Sequence, residues 1–158
     1  MPLSDVQRNN IVEVAKSWLG TPYRGWSAIK GSKGGVDCGQ LLKAVYLEAG
    51  HRPGDGVPLP TDYSLQVCQH REDPEYINTV MRYMREISET EAKPGDTVVY
   101  KLDHAFAHAG IIVGWPDYII HAIGRHGVIG GHGTKEPRFQ KCQRKFFTPF
   151  DEHCGEEK

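Results

Sequence analysis

The stretch from Gly20 to Gly50 constrains the structure of this chain more than any other part of it. It runs from a Gly-Thr-Pro-Tyr turn through a glycine-rich loop to Asp37-Cys38-Gly39, and an apolar segment with helical spacing then continues to Gly50. Cys38 is therefore predicted in the first turn of a helix, where unpaired N–H groups and the helix dipole favour an anion. A thiol placed there is an activated nucleophile, and the same N–H groups can bind an oxyanion beside the sulfur. An inert buried cysteine is the alternative interpretation.

Helices are also predicted on either side of this stretch. A first helix is capped by Ser4-Asp5 and ends at Gly20, and others are expected over residues 63–70 and after Asp73-Pro74. The core-facing stripe of the first helix is predicted to contain Val6, Ile11, Val12, Val14, Ala15, Trp18 and Leu19. The apolar face of the last one is predicted to contain Ile77, Val80, Met81, Met84 and Ile87.

After a turn at residues 93–96, the apolar period changes from that of helices to that of strands. Residues 97–102, 107–113 and 118–123 are three β-rich runs, and residues 114–117 form a short hairpin connection between the last two. Val128-Ile129 and residues 138–147 supply further strand candidates. Helices followed by antiparallel strands predict an α+β fold, and we expect a single domain over residues 1–158.

The composition argues against several classes of protein. The net charge is −1 and basic residues are scattered, which disfavours a nucleic-acid partner; we interpret the densest basic group, Lys141, Arg144 and Lys145, as a solvated strand face. No apolar run reaches the roughly 18 residues of a membrane span, and the N-terminus lacks the pattern of a signal peptide, so a cytoplasmic location is expected. The four cysteines contain no C-x-x-C pair and do not predict a disulfide framework.

A cysteine nucleophile needs a base, and the base needs a group that orients it. His108 begins one strand of the predicted hairpin and His121 lies near the end of the other, so the two become cross-strand neighbours. Polar residues at both positions of an otherwise apolar hairpin fit a base, His108, and a second imidazole that fixes its tautomer, His121. A pair of structural histidines is the alternative, and His126 or His104 could compete for the orienting role.

Metal and phosphate chemistry are less well supported by the sequence. His104 and His108 have the i, i+4 spacing of zinc ligands on a helix, but in an extended segment they would lie about 13 Å apart. The glycines of residues 31–35 do not match the phosphate-binding pattern G-x-x-x-x-G-K-[ST]. We therefore expect no metal and no cofactor.

Four segments resemble, in order, motifs of the NlpC-type cell-wall peptidases, a bacterial branch of the papain-like fold. They are GTPYRGWS with GGVDCGQLLKAVYLEAG, then KPGDTVVY, HAGIIVG and DYIIHAIGRHGV. The resemblance extends from about residue 20 to about residue 150, and the proline-rich segment before Tyr63 is similar to the phage tail and gene-transfer branch. It implies a papain-like α+β domain, with helices and a nucleophile at a helix start packed on a C-terminal antiparallel sheet.

The resemblance also implies roles for individual residues. Cys38 matches the nucleophile, His108 the base and His121 the residue that orients the base. Tyr23 matches a tyrosine that lines the site near the oxyanion, and Asp37 an acidic residue with a structural role or a part in substrate binding.

Gly39-Gln40 stand where the family commonly has Ser-Gly, so Gln40 is a candidate for an altered substrate subsite. Many members carry a signal peptide and binding repeats, and this sequence predicts neither.

The activity that the resemblance implies is metal-independent hydrolysis of the peptide stem of bacterial peptidoglycan, often at the D-glutamyl to diaminopimelate bond. The stem peptide would be the partner, together with phage tail proteins if the chain belongs to the phage branch, with no membrane or nucleic acid. Two alternatives stay open. One is an amidase or acyltransferase that uses the same three residues on another substrate, and the other is a structural tail-assembly protein that keeps the fold.

Overall fold

A computed structural model of the chain describes residues 3–25, 27–51, 84–102 and 105–149. Two α-helices and eight strands lie within these ranges. The helices are α1 (Asp5–Ser17) and α2 (Cys38–Glu48); the strands are β1 (Ala28–Ile29), β2 (Gly35–Val36), β3 (Met84–Ile87), β4 (Thr97–Leu102), β5 (Ala105–Gly114), β6 (Tyr118–Ile123), β7 (Gly127–Gly131) and β8 (Arg144–Pro149). No helix in the described part of the chain has the length and apolar character needed to cross a membrane.

Six of the strands form one antiparallel sheet in the order β3-β8-β4-β5-β6-β7, while β1 and β2 pair separately. The predicted runs at 97–102, 107–113 and 118–123 correspond to β4, β5 and β6. The predicted hairpin connection lies between β5 and β6, and the candidate at Val128-Ile129 lies within β7. The α+β fold class, with helices first and an antiparallel sheet second, is confirmed.

The sheet has a core on each face. On one face, α1 and α2 pack against residues that alternate along the central strands, and the buried set includes Ile11, Ala15, Leu41, Val45, Val99, Ala109, Ile111 and Ile120. The intervening residues point to the other face, where they pack under the chain that precedes β8; this set includes Val98, Tyr100, Ile112, Ile119, Phe139 and Phe146. Burying each large apolar side chain contributes roughly 1.5–3 kcal/mol, so both faces stabilise the sheet.

Helix α1 begins as predicted but turns a different face to the core. Ser4 caps it in a capping box with Gln7. Arg8 is buried and donates from Nη1 to Oδ1 of Asp96 at 2.7 Å, which fixes the stripe of Arg8, Ile11, Val12 and Ala15 inward. Val6 lies about 200° around the helix from Arg8 and is 80% exposed, so its predicted place in the stripe was wrong. Leu19, which follows the helix, is also exposed.

Two further predictions of secondary structure were wrong. Met84 and Ile87, predicted on a helix face, lie in β3, where they pair with Pro149 and Phe146 of β8. Their i, i+3 spacing is typical of a helix, but in this strand it directs one residue to each of the two buried faces. The strand predicted over residues 138–147 begins only at Arg144. The rest of the helix predicted after Asp73-Pro74, and that over residues 63–70, lie outside the described residues.

Candidate active site

Cys38 is the first residue of α2, as its sequence context predicted. The preceding Asp37 has an extended backbone and caps the helix, because its Oδ1 accepts the N–H of Gln40 at 2.9 Å. Asp37 is fully buried and Gln40 is 4% exposed, whereas Cys38 is partly exposed. A buried cap of this kind holds the first turn in one conformation, so the N–H groups around the thiol have a fixed direction. Their partial positive charge stabilises negative charge at this position.

Tyr23 lies directly alongside the segment that leads into α2. It forms a parallel bridge with Val36: the N–H of Val36 donates to the carbonyl of Pro22 at 2.9 Å, and the N–H of Arg24 donates to the carbonyl of Val36 at 3.1 Å. Val36 precedes Cys38 by two residues and is completely buried. The Gly-Thr-Pro-Tyr turn and the start of α2 are therefore tied together through the backbone, and Tyr23 is held beside the cysteine segment.

His108 and His121 form a buried pair. Nε2 of His108 and Nδ1 of His121 are 3.0 Å apart, and the residues are 8% and 1% exposed. Continuing the register that pairs Ile111 with Ile120 places His121 opposite Gly110, so the two histidines are diagonal neighbours on one face. Gly110 leaves room opposite His121 for neighbouring atoms, since a Cβ there would lie 3.1 Å from Cδ1 of Ile119 and 3.4 Å from Cβ of His121. The predicted neighbour relation is thus confirmed, with a diagonal geometry.

Aromatic rings enclose this histidine pair. The Phe139 ring lies 5.3 Å from that of His108 and 5.5 Å from that of His121, and it stacks on Tyr100 at 4.1 Å. Tyr100, which opposes His108 across β4 and β5, donates its hydroxyl to the carbonyl of Gly133 at 2.6 Å. The imidazoles are therefore packed against apolar rings on one side, which limits the access of water there.

This environment keeps both imidazoles neutral at neutral pH. Burial is the largest cause that lowers the pKa of His108 to about 3, and the charges of His121 and Arg138 lower it further. Burial also lowers the pKa of His121 to about 4; the charge of Arg138 acts in the same direction, and that of Glu136 opposes it. A neutral imidazole has a nitrogen lone pair that can accept a proton or a hydrogen bond.

Two separate sets of contacts relate the start of α2 to the histidine pair, and the second places both at the same end of the sheet. Near the other end, the hydroxyl of Tyr46 donates to the carbonyl of Gly95 at 2.8 Å and lies 2.6 Å from Oγ1 of Thr97. Helix α2 packs on β5 and β6, and its start is about 12 Å from Tyr46 along the axis. Tyr100, opposite His108, is about 10 Å from Thr97 along β4.

The second set of contacts joins the Gly-Thr-Pro-Tyr turn to β7. Gly20 donates its N–H to the carbonyl of Val128 at 3.0 Å, and Val128 donates back to the carbonyl of Thr21 at 2.8 Å. Val128 pairs with Ala122, the residue after His121. The adjacent Gly127 has φ +76°, and a Cβ there would collide with the carbonyl of Thr21. The turn that carries Tyr23 is thus fixed against the strand end that carries His121.

The described contacts bring the predicted site residues together in two groups. Tyr23, Asp37 and Gln40 surround the start of α2 with Cys38, and His108 and His121 form the pair. Within the described residues, no cluster of three or more His, Cys, Asp or Glu side chains is arranged to share a metal ion. His104, the other residue of the alternative zinc pair, lies outside them.

A sequence model of the NlpC/P60 family matches residues 20–148, a range that includes all of these residues. The chain belongs to the NlpC/P60 family. A search of curated proteins found no match.

Solved structures of other NlpC/P60 domains have the same fold as this chain. The NlpC/P60 domain of the peptidoglycan hydrolase SagA is 22% identical with a TM-score of 0.52, and the match covers 87% of this chain and 96% of that one. The P60 domain of antigen MAP1204 from M. avium subspecies paratuberculosis is 19% identical with a TM-score of 0.56, over 91% and 94% of the two chains. The peptidoglycan hydrolase RipB from Mycobacterium tuberculosis is 18% identical with a TM-score of 0.54, over 92% and 67%.

Three residues beside the histidines were not predicted from the sequence: Tyr100, Arg138 and Phe139. Tyr100 could have been found, because it lies in the second half of the run 97–102 and an antiparallel β4–β5 hairpin brings that half opposite the first half of β5. Arg138 and Phe139 carried no such signal, since the run 138–147 was interpreted as one strand and the turn that precedes β8 was missed.

Proposed function

We propose that this chain is a cysteine peptidase that hydrolyses an amide bond in the peptide stem of bacterial peptidoglycan, with Cys38 as nucleophile, His108 as base and His121 as the residue that orients the base. Membership of the NlpC/P60 family supports the reaction class, and the structural neighbours SagA and RipB are described as peptidoglycan hydrolases. The observation that carries the proposal is the buried pair of imidazoles, 3.0 Å apart, at the end of the sheet where α2 begins with Cys38.

The first step is activation of the thiol by a neutral base. In the productive tautomer His108 donates its Nε2–H to Nδ1 of His121, which leaves the lone pair of His108 Nδ1 free to accept the proton of Cys38. His121 fixes this tautomer and the plane of the ring. The helix start stabilises the thiolate, which then attacks the carbonyl carbon of the scissile amide.

The second step passes the same proton to the leaving group. The tetrahedral oxyanion is stabilised by the backbone N–H of Cys38 and by the hydroxyl of Tyr23. The His108 imidazolium is costly in its buried setting, so it readily gives its proton to the departing amine as the C–N bond breaks. A water molecule, deprotonated by the again neutral His108, attacks the acyl-enzyme and releases the acid and the free thiol.

The finer assignments extend this proposal. The first bond to test is the one between D-glutamate and diaminopimelate. If stem peptides are not cleaved, the same three residues would support an amidase or acyltransferase that acts on another substrate. Three points stay predictions from the sequence: roles for Asp37 and Gln40 in substrate binding, the likeness to the phage tail branch, and a cytoplasmic location.

Digestion of purified muropeptides, followed by mass spectrometry of the products, tests the proposal. We expect the wild-type protein to convert a stem peptide into two fragments whose masses add up to the mass of the peptide plus one water. Cys38→Ala should produce no fragments, and Cys142→Ala, which removes the other described cysteine, should retain near wild-type rates. If muropeptides of every stem composition stay intact with a correctly folded protein, the substrate assignment is wrong. Equal cleavage by Cys38→Ala would instead refute the nucleophile.

A further inference from the structure

An open groove of about 630 Å³ lies beside the turn whose Phe139 packs on the histidine pair. It is formed by the end of β4 and by the turn that precedes β8, which are joined where the N–H of Lys101 donates to the carbonyl of Gln143 at 2.8 Å. Its charged and amide-bearing lining residues are Lys101, Arg138, Gln140, Lys141 and Gln143. The lining therefore offers hydrogen-bond donors and positive charge, and it contains no carboxylate.

Within the described residues, one carboxylate pairs with the positive charge of this groove. Arg138 donates from Nε to Oε1 of Glu136 at 3.1 Å, and neither Lys101 nor Lys141 forms an ion pair in this part of the chain. By contrast, Lys145 pairs with Glu86 at 3.5 Å. Lys141 is thus not part of a solvated strand face, as the sequence had suggested, because it precedes β8 and faces a concavity. Like charges around a concave surface raise the local concentration of anions.

The groove is separated from the histidine pair by the buried ring of Phe139. Phe139, which lies between the groove residues Arg138 and Gln140, contacts both imidazoles through its ring, 5.3 Å from His108 and 5.5 Å from His121. The charge of Arg138 also reaches both rings, since it contributes to lowering the pKa of each. A ligand held in the groove would therefore lie on the outer side of the turn whose inner side packs on the proposed base.

We infer that this groove binds a carboxylate of an acidic peptide and thereby holds that peptide against the turn that covers His108 and His121. The inference rests on the proposed function in taking this peptide to be the substrate, because the glutamyl and diaminopimelyl residues of stem peptides carry carboxylates outside the cleaved bond. A planar guanidinium and two flexible ammonium groups suit a carboxylate, and the two glutamine amides add neutral donors.

Binding of glutarate to the Cys38→Ala protein tests the groove without any turnover. We expect NMR titration to shift the backbone amides of residues 137–143, and the uncharged analogue glutaramide to shift them far less. Lys101→Gln and Lys141→Gln should each weaken glutarate binding by about fivefold, because each removes one partly screened charge contact. Lys141→Arg should retain binding. Lys93→Gln, which makes the same charge change in the exposed turn before β4, should bind as the parent does.

Three results would overturn the inference: equal affinities for glutarate and glutaramide, no loss of affinity in the Lys101→Gln/Lys141→Gln double variant, or the same loss in Lys93→Gln. Equal binding of inorganic phosphate would also overturn it, since that shows a general ion site without selection for carboxylate.

A kinetic experiment separates the inference from the proposed function. In active protein, Lys141→Gln should raise KM for a stem peptide with free carboxylates by about fivefold, leave kcat unchanged, and have no effect on the amidated peptide. Loss of glutarate binding in the lysine variants of a protein that cleaves no muropeptide would support the groove and refute the function. Cleavage that is indifferent to both lysines and to amidation would support the function and refute the groove.

Discussion

The buried histidine pair makes the stability of this protein sensitive to mild acid. In the unfolded chain each imidazole titrates near its ordinary pKa of about 6.5, whereas in the folded protein burial holds the pKa of His108 at about 3 and that of His121 at about 4. As the pH falls below 6.5, the unfolded state binds protons that the folded state does not. Stability is therefore complete above pH 6.5 and is lost progressively between that value and the folded pKa values.

The size of this loss follows from the same two pKa values. At pH 5 the unfolded histidines are almost fully protonated and the folded pair is neutral. Relative to pH 7, each histidine therefore lowers the free energy of unfolding by about 2 kcal/mol, and the pair lowers it by about 4 kcal/mol. At this pH the result is almost the same for a folded pKa of 3 or 4, because the unfolded state alone takes up the protons. Such a loss is a large part of the 5–15 kcal/mol that is typical of a domain.

Urea unfolding at pH 7, 6 and 5 measures the effect directly. The wild-type free energy of unfolding should fall by about 4 kcal/mol more than that of a His108→Asn/His121→Asn variant between pH 7 and pH 5. His126→Asn is the matched control, since His126 is exposed, and it should follow the wild type. Burial also lowers the pKa of His51, but His51 is present in every variant and cancels from the comparison. Parallel pH dependence of the wild type and the double variant would refute the claim that the pair is buried and neutral.

Two more predictions concern the proposed chemistry. Cys38 should be the first thiol modified by brief iodoacetamide treatment near neutral pH, because of its helix start, and mass spectrometry that found Cys142 labelled first would contradict this. His121→Ala should lower kcat about 100-fold with little change in KM, because a positioning residue acts on the reacting state; His121→Gln or His121→Asn should retain more activity, since either amide can accept the hydrogen bond from His108. His126→Ala should keep wild-type rates, and a dead His126→Ala beside a fully active His121→Ala would refute the assignment.

The parts of the site that depend on local sequence were predictable. A cap at Asp37 followed by apolar helical spacing suffices to place Cys38 at the start of α2, because capping and periodicity act over a few residues. The short connection between β5 and β6 likewise limits their register, so it brings His108 close to His121. The α+β class followed from the change of period after residue 93.

The parts that depend on long-range packing were not predictable. The turn at residues 138–143 covers the histidines only because Phe139 stacks on Tyr100, which lies far away in the sequence. The exposure of Val6 depends on the buried ion pair between Arg8 and Asp96, and the strand at Met84 and Ile87 depends on pairing with β8 near the end of the described chain. Periodicity describes how one segment can be buried, and it does not identify the neighbour that buries it.

The glycine at position 127 joins the candidate site to the backbone of the fold. It lies where the Gly-Thr-Pro-Tyr turn meets β7, with a positive φ of 76° that L side chains rarely adopt. A Cβ there would collide with the carbonyl oxygen of Thr21, so a side chain would move the turn that holds Tyr23 away from the strand end that holds His121. A substitution at this one position would therefore strain the backbone and change the position of Tyr23 relative to His121 at the same time.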